Sequence, residues 1–375
     1  LREADFIIVG GGVAGASVAY RLAPHGRVLL LEAESQPGYH TSGRSAALYS
    51  KRYRNPSIRG FAAASGAFLE SPPEGFVDAP LLTPRGLLII GRADQADAVR
   101  GQFTAEQIAE GVAEDIALED AIALSPSLDP AYVAHAMYVP AASDIDVHGL
   151  HRGFLAGARR AGAEIVTDAA VTRLEFTGGK WRATTPAGAF AAPVVVNAAG
   201  AWADQVAAVA GLKGLGIRPL RRTCVTFDPP AAIDPAPWPM TMDAEEAFYF
   251  KPEAGRILAS PCDEHASPPV DAQAEELDVA EAVARVEAAT TLEVRRVTHR
   301  WAGLRCFMAD RLPAVGQDPR AEGFVWLAGL GGFGMMTSEA LGRAAAAAAL
   351  GDPLPADIAA AGVEAEAVAP ARFLP

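Results

Sequence analysis

Near the start of the chain, Gly10-Gly11-Gly12-Val13-Ala14-Gly15 places glycines at the first, third and sixth positions of one short stretch. That spacing can seat a pyrophosphate. A glycine at 10 permits a tight turn, one at 12 lets phosphate oxygens approach backbone N–H groups, and one at 15 lets a helix pack closely on a strand. Glu32 stands 22 positions after Gly10. A carboxylate there can accept hydrogen bonds from the hydroxyls of an adenosine ribose and would repel a 2′-phosphate. The chemistry on offer is the binding of a dinucleotide that lacks such a phosphate.

The elements that must hold this turn are legible in the hydrophobic period. Residues 5–10 form a short apolar run, Val13, Ala16, Val18, Ala19 and Leu22 recur at helical spacing, and residues 28–31 form a second apolar run ending at Glu32. Strand, turn, helix and strand make a βαβ unit, which predicts an α/β fold with a Rossmann-type domain on a parallel sheet. Asn55-Pro56 reads as a cap followed by proline at the first helical position, opening a helix to about 69 that Ser71-Pro72-Pro73 closes. A strand is expected over 83–91, helices over 94–110 and 147–161, and a strand over 132–139. Short runs at 165–167, 171–176, 181–185 and 194–196 predict hairpins followed by a buried strand. Strands at 223–227, 247–251 and 256–260, interrupted by a proline-rich loop over 228–240, predict a mixed or antiparallel sheet. A buried strand at 324–328 and an alanine-rich helix at 337–350 return to the βα pattern. The expected division is a discontinuous dinucleotide domain of 1–80, 145–215 and 310–375, with a substrate domain of 81–144 and 216–309.

Composition narrows the classes. The chain has 375 residues, half of them apolar and 21% charged, an ordinary globular balance that excludes a disordered or fibrous protein. A formal net charge of −13 disfavours nucleic acid and anionic membrane surfaces as partners. Cys224, Cys262 and Cys306 lie far apart without metal-ligand spacing, so neither a disulfide framework nor a metal site is implied, and a reducing compartment fits best. No apolar run approaches the ~20 residues that span a bilayer. The first such run breaks at glycine with no basic stretch before it. A soluble, cytoplasmic protein is the expectation.

Four further segments carry a resemblance. Thr41-Ser42-Gly43-Arg44-Ser45-Ala46-Ala47, then Val194-Val195-Val196-Asn197-Ala198-Ala199-Gly200-Ala201-Trp202, then Gly303-Leu304-Arg305, and finally Gly331-Gly332-Phe333-Gly334 follow the fingerprint in order. Together they resemble the D-amino acid oxidase, glycine oxidase and sarcosine oxidase group of FAD enzymes, and within it most resemble bacterial D-arginine dehydrogenases. The resemblance implies FAD, held at Gly10, Gly12, Val13, Ala14, Gly15, Glu32, Ser42, Gly43, Arg44, Ser45, Ala47, Val171, Ala199, Gly200, Trp202, Gly331, Gly332 and Gly334. Each segment has a plain reading beside it. The small residues from Gly43 to Ala47 suit a backbone lying against a flat ring, or a surface loop. Asn197-Ala198-Ala199-Gly200 allows close approach to a cofactor, or is a simple turn from strand to helix. The loop 331–334 would aim a helix N-terminus at the pyrimidine end of a flavin, or is merely flexible.

An amino acid substrate brings a carboxylate, which in a cleft calls for the bidentate fork of arginine. By the same resemblance Arg222 and Arg305 match carboxylate-binding positions, Tyr249 supplies a hydroxyl, the Gly332 carbonyl accepts from the substrate amine, and Tyr53 sits on a loop that closes over the site or is an ordinary packed tyrosine. Arg222 adjoins Arg221 on an expected strand, where alternation sends only one of them inward. Two departures stand out: Leu48 occupies the place of a histidine in the arginine-specific enzymes, and Leu87 the place of the acid that pairs with a guanidinium. A cationic side chain would meet apolar surface there, at a cost. The expected substrate is therefore an amino acid with a small or apolar side chain, of the D series by resemblance. It would lose hydride to the flavin, and the imino acid would hydrolyse to a keto acid and ammonia. Oxygen or a quinone would take the electrons onward, with resemblance favouring a dehydrogenase. No protein base is required if the amine binds neutral, so His40, His148, His151 and His299 are read as structural or surface residues. Cys306 could tether a flavin or be a small buried residue, with non-covalent FAD the expectation. Oxidation of a secondary amine or a 2-hydroxy acid is the alternative, and an electron-transfer flavoprotein with no small substrate is the rival from another class.

Overall fold

A computed structural model describes residues 1–51 and 53–374. Its organising element is a six-stranded sheet in the order Glu164–Val166, Val28–Leu31, Phe6–Val9, Val194–Asn197, Phe324–Ala328, Ala314–Gln317. All pairs are parallel except the last. The inner strands bury every residue or nearly so, because both faces are covered. On one face lie the helices Val13–Leu22, Pro56–Glu70, Val147–Arg160 and Gly334–Leu350, packed through Phe61, Phe154, Leu22 and Leu341. Against the other lies a four-stranded sheet of Arg2–Glu3, Gly188–Ala192, Lys180–Thr185 and Arg173–Thr177, whose Trp181 and Phe190 bury against Phe324 and Trp326. This is a Rossmann-type layering, with an α/β fold overall.

A second, larger sheet runs Leu330–Gly331, Val297–Phe307, Arg218–Phe227, Arg256–Ser260, Tyr249–Glu253, Met240–Asp243, Leu87–Gly91, His135–Val139, Glu114–Ile116, with His265–Ala266 pairing on one side. It is mixed: Met240–Asp243 runs parallel to Leu87–Gly91 and the other neighbours are antiparallel. Helix Glu276–Ala289 closes one face through Val279, Ala282 and Val286 against Val225, Phe227 and Phe250. The chain leaves the parallel sheet at Ala328 and joins the edge of the large one at Leu330, directly before helix Gly334–Leu350. A small sheet of Leu48–Tyr49, Ser143–Ile145 and Leu82–Pro84 completes the frame. Among the described residues no helix is long and apolar enough to cross a membrane.

Several expected elements are altered, each for a local reason. The helix expected over 94–110 is two short helices, Ala96–Gly101 and Ala105–Ala109. It breaks because the Thr104 hydroxyl accepts from the Gln107 N–H while the Gln107 side-chain Oε1 accepts from the Thr104 N–H, a reciprocal cap that starts a new helix. The strand over 83–91 is split at Gly86, whose φ of 73° turns the chain. At 132–139 the strand starts only at His135, since Asp129 organises a turn before it by accepting from the Ala131 N–H. The strand at 223–227 extends back to Arg218, and the segment holding Gly303-Leu304-Arg305 is an eleven-residue strand, Val297–Phe307. The C-terminal helix starts at Gly334 rather than near Thr337.

Candidate active site

Between the parallel sheet and the large sheet lies a cavity of about 650 Å³. At one end is the fingerprint turn. Gly10 has a φ of 104°, and a Cβ there would come within 2.6 Å of the Ala198 carbonyl oxygen and 2.9 Å of Ala199 Cα. Gly15 does not line the cavity; a Cβ on it would lie 1.9 Å from the Gly10 carbonyl oxygen, so it lets helix and turn touch. Gly12, Val13 and Ala14 line the cavity at the N-terminus of helix Val13–Leu22. Glu32 is buried and also lines it; its Oε2 accepts from the Gly11 N–H at 2.6 Å and its Oε1 from the Glu34 N–H at 2.8 Å. The Ser42 hydroxyl accepts from the Val13 N–H at 2.9 Å.

His151, expected to be structural, supports this end from behind. Its Nε2–H donates to the Gly11 carbonyl at 2.8 Å, and burial pushes its pKa below the usual value, which keeps the ring neutral. His40 does line the cavity, its ring 4.6 Å from that of Trp202 and its Nε2 2.8 Å from Glu34 Oε1. His148 is exposed, and His299 is exposed beside Arg256. Ser42, Arg44, Ser45, Ala47, Val171, Ala199, Gly200 and Trp202 all line the cavity. Gly43 does not: its N–H donates to the Gly38 carbonyl, shaping the loop rather than meeting a ligand. Arg44 directs its Nη1 to the carbonyls of Ala272 and Ala302 and pairs with Asp271.

At the other end the large sheet delivers side chains. Leu220 pairs with Arg305 and Arg222 with Gly303, so Arg222 and Arg305 are diagonal neighbours on one face of two antiparallel strands. Arg221 points to the opposite face, shared by Glu275 and Asp278. Arg222 is buried; its Nε donates to the Asp263 carbonyl at 2.9 Å and its Nη2 reaches Glu264 Oε1 at 3.4 Å. Arg305 is half-buried, and its guanidinium makes no hydrogen bond or ion pair with any described residue. A Cβ on Gly332 would lie 2.9 Å from its Nη1, so the guanidinium rests on bare backbone. Tyr249 is buried with its hydroxyl 3.5 Å from Cys224 Sγ, and desolvation pushes its pKa well above the usual tyrosine value. It stays protonated and can donate. Leu48 and Leu87 line the cavity beside Met240 and Met242. Tyr53 lines it edge-on to Phe333, ring centroids 4.9 Å apart.

Gly331, Gly332 and Gly334 complete the lining where helix Gly334–Leu350 begins. Cys306 lines the cavity too; burial pushes its thiol up to about 12, and the thiol donates to the Leu304 carbonyl. Sequence reasoning missed Arg311, Glu264, Glu246, Cys224 and Cys262, which line the cavity from turns and from a strand with no motif. For Cys224 the signal was present, since it lies two residues from Arg222 and so on the same face.

One cavity thus joins a dinucleotide turn to paired guanidinium groups. The family model described as FAD dependent oxidoreductase matches residues 5–348. The chain belongs to this DAO family. Its likeness to an uncharacterized oxidoreductase of Bacillus subtilis, YurR, is 26% over 373 residues, spanning 94% of this chain and 97% of that one. Human mitochondrial dimethylglycine dehydrogenase is 28% identical over 69% of this chain and 30% of its own length. The solved glycine oxidase of Geobacillus kaustophilus superposes with a TM-score of 0.82 at 23% identity, over 95% of this chain and 99% of that one.

FAD is the cofactor of this DAO-family oxidoreductase, and the residues present fit it. A Cβ on Gly12 would meet only Ser42 Oγ, at 3.2 Å, so the backbone before helix Val13–Leu22 lies open to a phosphate. Glu32 has lone pairs left after its two backbone contacts, as ribose hydroxyls require. The N-terminus of helix Gly334–Leu350 opens on the same cavity beside Arg305, where its partial positive charge favours an electron-rich ring.

Proposed function

We propose that this oxidoreductase oxidises the α-carbon of an amino acid with a small or apolar side chain, of the D series, to the imino acid. The observation that carries the reading is Arg305: a half-buried guanidinium lining the cavity that makes no hydrogen bond or ion pair with an acid among the described residues. Such a group calls for an anionic ligand, and its fork suits a carboxylate. Arg222, its diagonal neighbour, adds a second grip, and the protonated Tyr249 hydroxyl a third. The Gly332 carbonyl accepts from the substrate amine, and the Tyr53 ring covers the approach. FAD, when bound, accepts the hydride. The chain's residues orient the α-carbon and exclude water from it; the imino acid released hydrolyses to a keto acid and ammonia. Oxygen or a quinone reoxidises the cofactor.

Leu48, Leu87, Met240 and Met242 give the side-chain subsite an apolar wall, against which a guanidinium or ammonium would lose hydration. FAD is held without a covalent bond: at a pKa of about 12 the Cys306 thiol is not ionised at neutral pH and is a poor nucleophile. The dinucleotide lobe comprises residues 1–80, 145–215 and 310–375, and the substrate lobe 81–144 and 216–309.

Anaerobic bleaching of the flavin by both enantiomers of a panel of amino acids tests the reading. D-methionine or D-leucine should bleach faster than D-arginine, and the reverse order would refute the apolar subsite. A second reading, oxidation of an N-substituted amine, is favoured by the 28% identity to human dimethylglycine dehydrogenase; N-methylated glycines in the same panel decide between them.

A further inference from the structure

Arg311 lies in none of the sequence motifs, yet it lines the cavity. It occupies a seat built for it. Its φ of 64° is in the left-handed region that a residue with a side chain rarely adopts unless something holds it there. Its guanidinium carbon stands 3.9 Å from the centroid of the buried Phe307 ring. From there it grips Glu264 with a two-bonded fork, Nη1 to Oε2 at 3.0 Å and Nη2 to Oε1 at 2.7 Å. The same Glu264 carboxylate reaches Arg222 only loosely, at 3.4 Å. Arg222 Nη1 and the Arg305 guanidinium make no hydrogen bond or ion pair among the described residues.

Glu264 is chemically the same group as the one proposed to bind here. A carboxylate tethered to the wall of the cavity stands at a high effective concentration beside the two arginines. Left to itself it would close fully onto Arg222 and reach toward Arg305, where the field of the two guanidinium groups draws it. We propose that Arg311 is a positioning residue that holds the Glu264 carboxylate back, so that Arg305 and the Nη1 edge of Arg222 stay open to the carboxylate of the substrate. This rests on the reading that those two arginines bind the substrate's acid group. Arg311 touches neither the substrate nor the cofactor in this role; it removes an internal competitor.

The test uses the FAD-loaded protein and acetate, a carboxylate that cannot react, read by the change in flavin absorbance on titration. Arg311→Gly suits the left-handed backbone, and Arg311→Gln keeps the side chain but not the charge, so the two guard against misfolding. Each should weaken acetate binding by about tenfold, the scale of one charge-assisted hydrogen bond. With a turnover substrate, KM should rise by the same factor while kcat holds. Adding Glu264→Gln to either variant should restore acetate binding to within about twofold, since the competitor's charge is gone. A merely structural role for Arg311 predicts no such rescue. Failure of Glu264→Gln to rescue, or a tenfold loss from Glu264→Gln alone, overturns the inference and leaves the function standing. If acetate fails to perturb the unaltered holoenzyme, or binds as well to Arg305→Ala, the carboxylate-binding reading falls and this inference with it.

Discussion

The two ends of the cavity are made from different parts of the amino acid. At the dinucleotide end the chain offers mostly backbone: the turn from Gly10 to Ala14, the open N-terminus of helix Val13–Leu22, and the approach of Ala198 and Ala199 to Gly10. At the substrate end it offers side chains brought from distant stretches of the large sheet and its turns, among them Leu87, Arg222, Tyr249, Arg305 and Arg311. A site made of backbone is indifferent to most substitutions and intolerant where a Cβ would collide. A site made of side chains can be retuned one residue at a time. Cofactor retention and substrate choice should therefore respond to different mutations.

The largest expected effect is at the backbone end. Gly15→Val would force a side chain into a position where a Cβ already comes within 1.9 Å of the Gly10 carbonyl. Helix and turn must part, at about 3 kcal/mol or more. The purified protein should carry little flavin per polypeptide and melt well below the parent. A full complement of FAD in this variant would break the comparison, because the turn would not depend on close approach.

Arg305→Ala should do the opposite. Removing a guanidinium that makes no hydrogen bond or ion pair among the described residues leaves Glu264 still paired with Arg311, so flavin content and melting temperature should stay at parent values. The specificity constant for the best substrate should fall by about 100- to 1,000-fold, the range for truncating one partner of a desolvated charge pair. Steady-state kinetics and flavin stoichiometry on one preparation check both halves. A loss of flavin together with activity would show that the ends are not independent.

The same division explains what the sequence disclosed. The βαβ unit was legible because it is local: a strand, three spaced glycines, a helix and an acid fall within 32 residues, and the period of the apolar side chains reports each element directly. Arg222 rather than Arg221 is chosen by resemblance, since alternation says only that one faces inward; the physical reason lies in the structure, where Asp278 on helix Glu276–Ala289 draws Arg221 to the other face. That helix was itself recoverable, because Val279, Ala282, Val286 and Ala289 repeat at helical spacing and all are buried. Arg311 and Glu264 were beyond reach. They meet through a positive φ, a stacked ring and a turn 47 residues away, none of which leaves a pattern in the sequence. His151 was likewise hidden, as its partner is the Gly11 carbonyl 140 positions distant.

The smallest effect separates the two ends by pH. Burial holds the His151 pKa below the ordinary 6.5, only partly opposed by its bond to Gly11. With the folded value depressed, the unfolded chain takes up the proton first as the pH drops. The contribution is therefore complete above about 6.5 and is lost as the pH falls through the lower folded value, at no more than about 1.4 kcal/mol per pH unit. At the substrate end the sign reverses. Cys262 is pushed up to about 11 and Cys306 to about 12 from an ordinary 9.0, so their contribution is complete below about 9 and is lost as the pH rises toward 12. Acid should loosen the dinucleotide end and alkali the substrate end. His151→Gln keeps an N–H to offer the Gly11 carbonyl without a titrating ring; it should flatten the acid limb of FAD release, read by the fluorescence of freed flavin, and leave the alkaline limb of the melting curve untouched. An acid limb unchanged in this variant would place the sensitivity elsewhere, while a changed alkaline limb would tie the two ends together.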